Sequence, residues 1–351
     1  MNLDRVEKIA EAVLYEGYML YPYRPSSVKN QQRWNFGVLC PRSYCELNHG
    51  SEAWMMQTEC VAKAGPSTRL KVKIRFLQIV RRSVGKLCTP GREEPEGVQP
   101  LFDPVDLIEV CGRVYQPWQE AVQREHTFIA PDPAGLASLS TLPMTFPAGK
   151  QFEYLRDERE WAVGVLVREW ETLTASVQFG SARCHNGVVK VTVRLCNLTS
   201  FDLLESTVRE DALPFSLVSA HTVLGIEQGK FLSLLDPPEG YEELTGQCSN
   251  IGTWPVLVGD EAETVLSSPI ILYDHPQIAP ESAGNLFDAT EIDEILSLRI
   301  LTLTDDEKRE MRQSDERARQ ILERTESMPE EQFMKLHGVL RSLTPLREEA
   351  R

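Results

Sequence analysis

The stretch "RLKVKIRFLQIV", residues 69–80, alternates cationic and apolar side chains over its first eight positions. The apolar members are Leu70, Val72, Ile74 and Phe76, and the cations are Arg69, Lys71, Lys73 and Arg75. A period of two places the two sets on opposite faces of a β-strand. The stretch therefore predicts a half-buried strand with a cationic outer row.

A second β signal is a pair of strand-like runs, "TASVQFGSARC" at 174–184 and "VVKVTVRLCNLT" at 188–199, separated by "HNG". The dipeptide Asn186-Gly187 tolerates positive φ at both central positions of a tight turn, so it predicts a hairpin between the two runs. The predicted buried row of the second strand consists of Val189, Val191, Val193 and Leu195.

Further strands are predicted within 214–225, 230–235, 253–259 and 267–274. Several short strands with turn residues between them are typical of antiparallel sheets in a sandwich or a barrel. The predicted fold class is α+β, mainly antiparallel β and sandwich- or barrel-like, with an N-terminal helix and a helical C-terminal tail.

The 351 residues are enough for two cores, and composition divides them into four predicted parts. Residues 1–130 hold the N-terminal helix, a basic aromatic arm and a β region. Residues 131–150, rich in proline and poor in charge, are predicted to form a linker. A second β-rich domain is predicted over 151–286, followed at 287–351 by a helical tail with opposite charges three and four residues apart.

Charge is unevenly distributed along this acidic chain, whose formal net charge is −15. Residues 18–86 contain twelve Lys or Arg against three Glu, a balance of +9. Such polarity either steers an acidic partner to one region or holds two regions of the chain together. A nucleic-acid partner is not expected, because most of the molecule is acidic and would repel phosphate.

The chain has no run of about eighteen apolar residues and no secretion signal at its start. A cytoplasmic location without a membrane span is therefore expected. The eight cysteines lack a compact framework spacing, which favours reduced thiols.

The basic aromatic arm is "GYMLYPYRPSSVKNQQRWNFG", residues 17–37, which contains no acid. Its candidate partner-binding residues are Tyr21, Tyr23, Arg24, Lys29, Arg33 and Trp34. Tyr, Trp and Arg dominate binding hot spots, so one interpretation of the arm is a protein interface. Alternatively, its aromatic side chains pack into the core and its cations pair with acids of this chain, or the rings stack on bases.

Two clusters offer weaker chemistry. Cys40, Cys45, His49 and Cys60 are of the types that bind zinc, although they lack a repeated close pair, and the alternative is free cysteines with a surface histidine. Asp274, His275 and Glu281 could form a metal-dependent or acid/base site, although Asp-His-Pro is also ordinary turn chemistry. Known enzyme motifs are absent from the sequence, which favours a protein that is not an enzyme.

Two stretches near the ends of the chain resemble a family of uncharacterised bacterial proteins associated with gene clusters for uptake nickel–iron hydrogenases. They are "AVLYEGYMLYPYRPSSVKNQQRWNFGVL" and "SSPIILYDHPQIAPESAGNLFDATEIDEILSLRILTLTDDEKREMR", about seventy-five residues together. The resemblance implies an accessory, assembly or structural role with hydrogenase subunits as partners, and it supplies no catalytic residue or cofactor.

The expected function is a non-catalytic accessory protein, without a cofactor, that docks on an oxidoreductase complex. The alternative is a metal-dependent hydrolase with its site around Asp274, His275 and Glu281.

Overall fold

The computed structural model describes residues 36–91, 99–131, 140–184, 187–204 and 207–276, together with Ile9 and scattered residues between 303 and 327. Its strands are β1 (Met55–Gly91), β2 (Phe102–Pro104), β3 (Ile108–Val110), β4 (Arg113–Tyr115), β5 (Trp118–Pro131), β6 (Ser140–Phe146), β7 (Gly149–Arg156), β8 (Ala162–Trp170), β9 (Leu173–Arg183), β10 (Val188–Asn197), β11 (Val218–Phe231), β12 (Trp254–Leu257) and β13 (Thr264–Ser268). Its helical segments are α1 (Arg42–Leu47), α2 (Arg209–Ala212), the 3-10 helix Leu213–Phe215, and α3 (Glu242–Gly246).

The 37-residue strand β1 organises an eleven-stranded sheet in which all the described pairings are antiparallel. Along one side of β1 lie β10, then β5, then β2, and along the other side lie β11 and then β8. Strands β3 and β4 form a separate two-stranded antiparallel sheet. The prediction of a mainly antiparallel β protein is therefore confirmed.

The predicted hairpin is confirmed by β9 and β10, which pair antiparallel from Ala175↔Asn197 to Arg183↔Val189. Gly187 has φ +71°, the positive value for which glycine is favoured in a tight turn, while Asn186 lies outside the described residues. The predicted inner row, Val189, Val191, Val193 and Leu195, is buried.

The apolar row of β1 lies in the main core. Leu70, Val72, Ile74 and Phe76 are all fully buried, as predicted. The rings of Phe76 on β1 and Phe146 on β6 meet edge to face, with centroids 5.1 Å apart. Since β6 ends the path that leaves β1 through β10 and β9, this contact shows that the sheet folds back over itself.

The cationic row of β1 differs from the predicted outer row. Arg69 is exposed, but Arg75 is only 4% exposed. The reason is that a second apolar cluster covers the continuation of this row at Leu77 and Ile79. In addition, Glu125 on β5 comes within 3.9 Å of Arg75 and 3.7 Å of Lys73.

The segment predicted as a linker, 131–150, contains strand β6 and the first residues of β7. Pro143 within β6 is tolerated because β6 lies at an edge of the sheet, where one side needs no donor. The two predicted β regions also share a sheet, because β1 pairs with β5 of the first region and with β8, β10 and β11 of the second.

The terminal predictions fall largely outside the described residues. Ile9, within the predicted N-terminal helix, is helical and buried against Val223 and Leu266. The described residues between 305 and 327 are helical. The strands predicted at 230–235 and 267–274 are each strand only over their first two residues. The first ends with β11 at Phe231, and the second ends with β13 at Ser268, directly before Pro269.

No helix among the described residues is both long enough and apolar enough to cross a membrane.

Candidate functional site

The described part of the basic aromatic arm, residues 17–37, consists of Phe36 and Gly37. Its candidate residues Tyr21, Tyr23, Arg24, Lys29, Arg33 and Trp34 all lie outside the described residues. Their role in partner binding stays a prediction. Described chain resumes at Phe36 and Gly37, whose carbonyl oxygens accept hydrogen bonds from the backbone N–H groups of Ser219 and Ala220.

The four candidate zinc ligands are not brought together. Cys40 and Cys45 belong to one apolar cluster and Cys60 to another, while His49 is exposed. Burial raises the pKa of the Cys40 thiol to about 11 and that of the Cys45 thiol to about 12, so both stay protonated at neutral pH. Zinc binds the thiolate, and no three His, Cys, Asp or Glu side chains among the described residues form a group that could hold a metal.

Asp274 and His275 hold the fold locally. The two carboxylate oxygens of Asp274 accept hydrogen bonds from the Ser233 hydroxyl, at 2.5 Å, and from the Leu257 backbone N–H, at 2.7 Å. The backbone N–H of His275 donates to the Leu257 carbonyl at 2.7 Å. These bonds tie the segment after β13 to β12, while the third candidate, Glu281, lies outside the described residues. The hydrolase hypothesis stays a prediction.

Several cations of the +9 region meet acids of this same chain. Arg81 contacts Glu171 at 2.6 Å, and Arg82 contacts Glu120 at 2.9 Å. Together with the contacts of Arg75 to Glu125, these pairs use acids from β5 and from the end of β8. In the described part of the region, charge polarity thus holds strands together.

An open groove lies where β1, β5 and β8 run side by side. Gln119, Arg81 and Glu169 stand opposite one another in register across these three strands. Residues 201–204 and 207–215 form the facing wall, and the groove between this wall and the strands has a volume of about 1150 Å³.

Aromatic packing fixes the facing wall. The rings of Phe201 and Phe215 lie 5.0 Å apart, and Tyr44 of α1 meets Phe201 edge to face at 6.3 Å. The side-chain amide of Asn197 donates to the carbonyls of Leu39 and Phe215 at 2.7 and 2.9 Å. A wall held by these contacts is pre-organised, which lowers the ordering cost of binding.

The base of α2 adds a further anchor. Arg209 contacts Glu52 at 2.6 Å, and the hydroxyl of Ser43 donates to the Phe201 carbonyl at 3.2 Å. The groove lining also includes the apolar side chain of Leu204, which is 71% exposed. Exposed apolar groups beside aromatic walls are typical of sites for protein interaction.

Arg82, which lines the groove, belongs to an ionic network with Glu120. The Arg168 guanidinium donates to Glu120 and to Glu153, both at 2.6 Å, and Glu120 also accepts from Arg82. Although burial lowers the pKa of Arg168, the hydrogen bonds to Glu120 and Glu153 outweigh it and raise that pKa. The network joins β1, β5, β7 and β8.

The class of this protein is defined by its fold, which is mainly antiparallel β with an open groove. No family model and no curated protein matches the chain. Among solved structures it has a weak likeness to the secretin InvG (residues 176-end) of the Salmonella SPI-1 type III secretion injectisome in its open gate state. That likeness has 11% identity and a TM-score of 0.13, covering 64% of this chain and 60% of that one. It implies neither a fold nor a function.

Proposed function

We propose that this protein is a non-catalytic accessory protein that docks on an oxidoreductase complex through the groove beside residues 201–204 and 207–215. The observation that supports docking is the combination of a fixed aromatic wall with the exposed apolar side chain of Leu204 in the groove lining. Pre-organised aromatic surface of this kind supplies most of the free energy at many interfaces.

The choice of partner comes from the sequence resemblance. It makes subunits of an uptake nickel–iron hydrogenase the first partners to test. The local structural roles of Asp274 and of the buried thiols of Cys40 and Cys45 are compatible with a role that needs no catalytic group.

Affinity purification of the tagged protein from its own host tests this proposal. We expect hydrogenase subunits, or another oxidoreductase complex, to be recovered and identified by mass spectrometry. Repeated recovery of the protein without any stable partner would contradict the proposal.

A photo-crosslinking amino acid tests the location. Placed at Leu204 in the groove rim, it should crosslink to the recovered partner. Placed at Leu235, which is 56% exposed and outside the groove lining, it should not. Equal crosslinking from both positions would show that docking does not use the groove.

A further inference from the structure

We infer that the groove binds a lysine- or arginine-bearing segment of a partner protein, with the cationic side chain held by Asp202 and Glu210 beside the aromatic wall. This inference rests on the proposed docking function and assigns the chemistry of the partner. Four residue types in the groove lining contribute to it: acids, aromatics, arginines and exposed leucine.

The acids of the groove outnumber the cations. The lining contains Glu169, Asp202, Glu210 and Asp211 against Arg81 and Arg82. Both arginines already contact carboxylates outside the lining, at Glu171 and Glu120. The positive charge of the groove is thus offset within the fold.

Two of the four acids also have partners. Glu169 contacts Lys150 at 2.8 Å, and the Asp211 carboxylate accepts the backbone N–H of Val208 at 3.0 Å. Asp202 and Glu210, in contrast, form no hydrogen bond or ion pair with another described residue, and both are exposed. Their negative charge is available to a ligand.

The aromatic wall suits the same ligand. Phe201 lies next to Asp202 in the chain and contacts Phe215 with its ring tilted by 50°, while Trp118 lines the opposite side. The alkyl stem of a lysine or arginine can pack along such rings, and its charged end is attracted by both ring faces and carboxylates. An anionic segment would meet uncompensated carboxylates, and a purely apolar one would leave them beside apolar surface.

The probe is a labelled synthetic peptide in which lysine alternates with serine, compared with the same peptide carrying glutamate in place of lysine. Fluorescence anisotropy is measured with the full chain and with the double variant Asp202→Asn, Glu210→Gln. We expect the variant to bind the lysine peptide about tenfold more weakly, since two favourable charge contacts are lost.

A matched control removes the effect of net charge, because the whole protein is acidic and attracts any cation. Glu239→Gln with Glu243→Gln makes the same charge change at two exposed positions outside the groove. This control should bind the lysine peptide as tightly as the unmodified chain. Thermal unfolding of both variants verifies that folding is intact.

A charge swap provides the complementary test. Asp202→Lys with Glu210→Lys should lose the lysine peptide and gain the glutamate peptide. The inference is overturned if the groove variant and the control bind the lysine peptide equally, or if the unmodified chain binds both peptides equally.

The same variants separate this inference from the proposed function. If Asp202→Asn, Glu210→Gln still recovers the native partner while Leu204 crosslinks to it, docking stands and the cationic chemistry is wrong. If the peptides bind with the expected charge preference but no partner is recovered, the chemistry stands and the docking proposal is wrong.

Discussion

Replacing Glu120 with alanine is expected to lower the free energy of unfolding by about 3 kcal/mol, through the loss of a carboxylate that two guanidinium groups share. Glu120 accepts from Arg82 at 2.9 Å and from Arg168 at 2.6 Å. The Arg82 side chain is only 6% exposed and that of Glu120 is 20% exposed, so water cannot fully replace the lost partner.

The magnitude follows from those two contacts. A hydrogen bond to a charged group contributes about 1.5–3 kcal/mol, and breaking a buried ion pair by removing one partner costs about 3–5 kcal/mol. Arg168 keeps its contact with Glu153 at 2.6 Å, which places the expected loss at the lower end of that range.

Urea unfolding, followed by circular dichroism and tryptophan fluorescence, measures the loss as a lower midpoint at unchanged slope. The control is Glu153→Ala, which removes one contact to Arg168 from an acid that is 52% exposed. This change should cost about 1 kcal/mol or less. Equal losses from the two variants would refute the reasoning that burial of the Arg82–Glu120 pair sets the magnitude.

Other predictions concern the core, the buried histidine and the thiols. Phe76→Ala, at a fully buried side chain, should cost about 3–5 kcal/mol in urea unfolding, and an effect below about 1 kcal/mol would contradict the assigned core position. Burial, and secondarily the charge of Arg75, lowers the pKa of His221 from 6.5 to about 4, so the unfolded chain binds its proton first as the pH falls. Stability from this group is full above about pH 6.5 and should decline by up to about 1.4 kcal/mol per pH unit towards pH 4. His221→Leu should remove that part of the decline, and identical pH profiles would contradict it. Cys40 and Cys45 are buried and their thiols have raised pKa values, so they should react with a thiol reagent only after unfolding. Cys88 is exposed and should react in the native state. Mass spectrometry of the labelled protein distinguishes the two outcomes.

The candidate groove shows the limit of the sequence. The arm, the cysteines and the Asp274-His275 pair could be predicted as candidate sites because their residues lie close together in the chain. The groove residues Arg81, Trp118 and Phe201, in contrast, are far apart in the chain. They come together because β5 pairs with β1 and residues 201–204 and 207–215 pack beside these strands. A short charged helix between two phenylalanines was the signal present in the sequence, and by itself it specifies no groove.

The sequence by itself determined two parts of the strand pattern and which of their side chains lie in the main core. Alternation at 69–76 and 189–195, with Gly187 between β9 and β10, is a local property, because side-chain direction in a strand follows a period of two. Only the tertiary structure decided which polar side chains are buried and which loop-like segments pair as strands. Arg75 became buried because a second apolar cluster covers its row of β1 at Leu77 and Ile79. A proline-rich segment became edge strand β6 because β9 offered a free pairing side. A tight turn specifies the β9–β10 hairpin locally, whereas the pairing of β1 with β5, β8, β10 and β11 joins residues far apart in the chain, which no local pattern specifies.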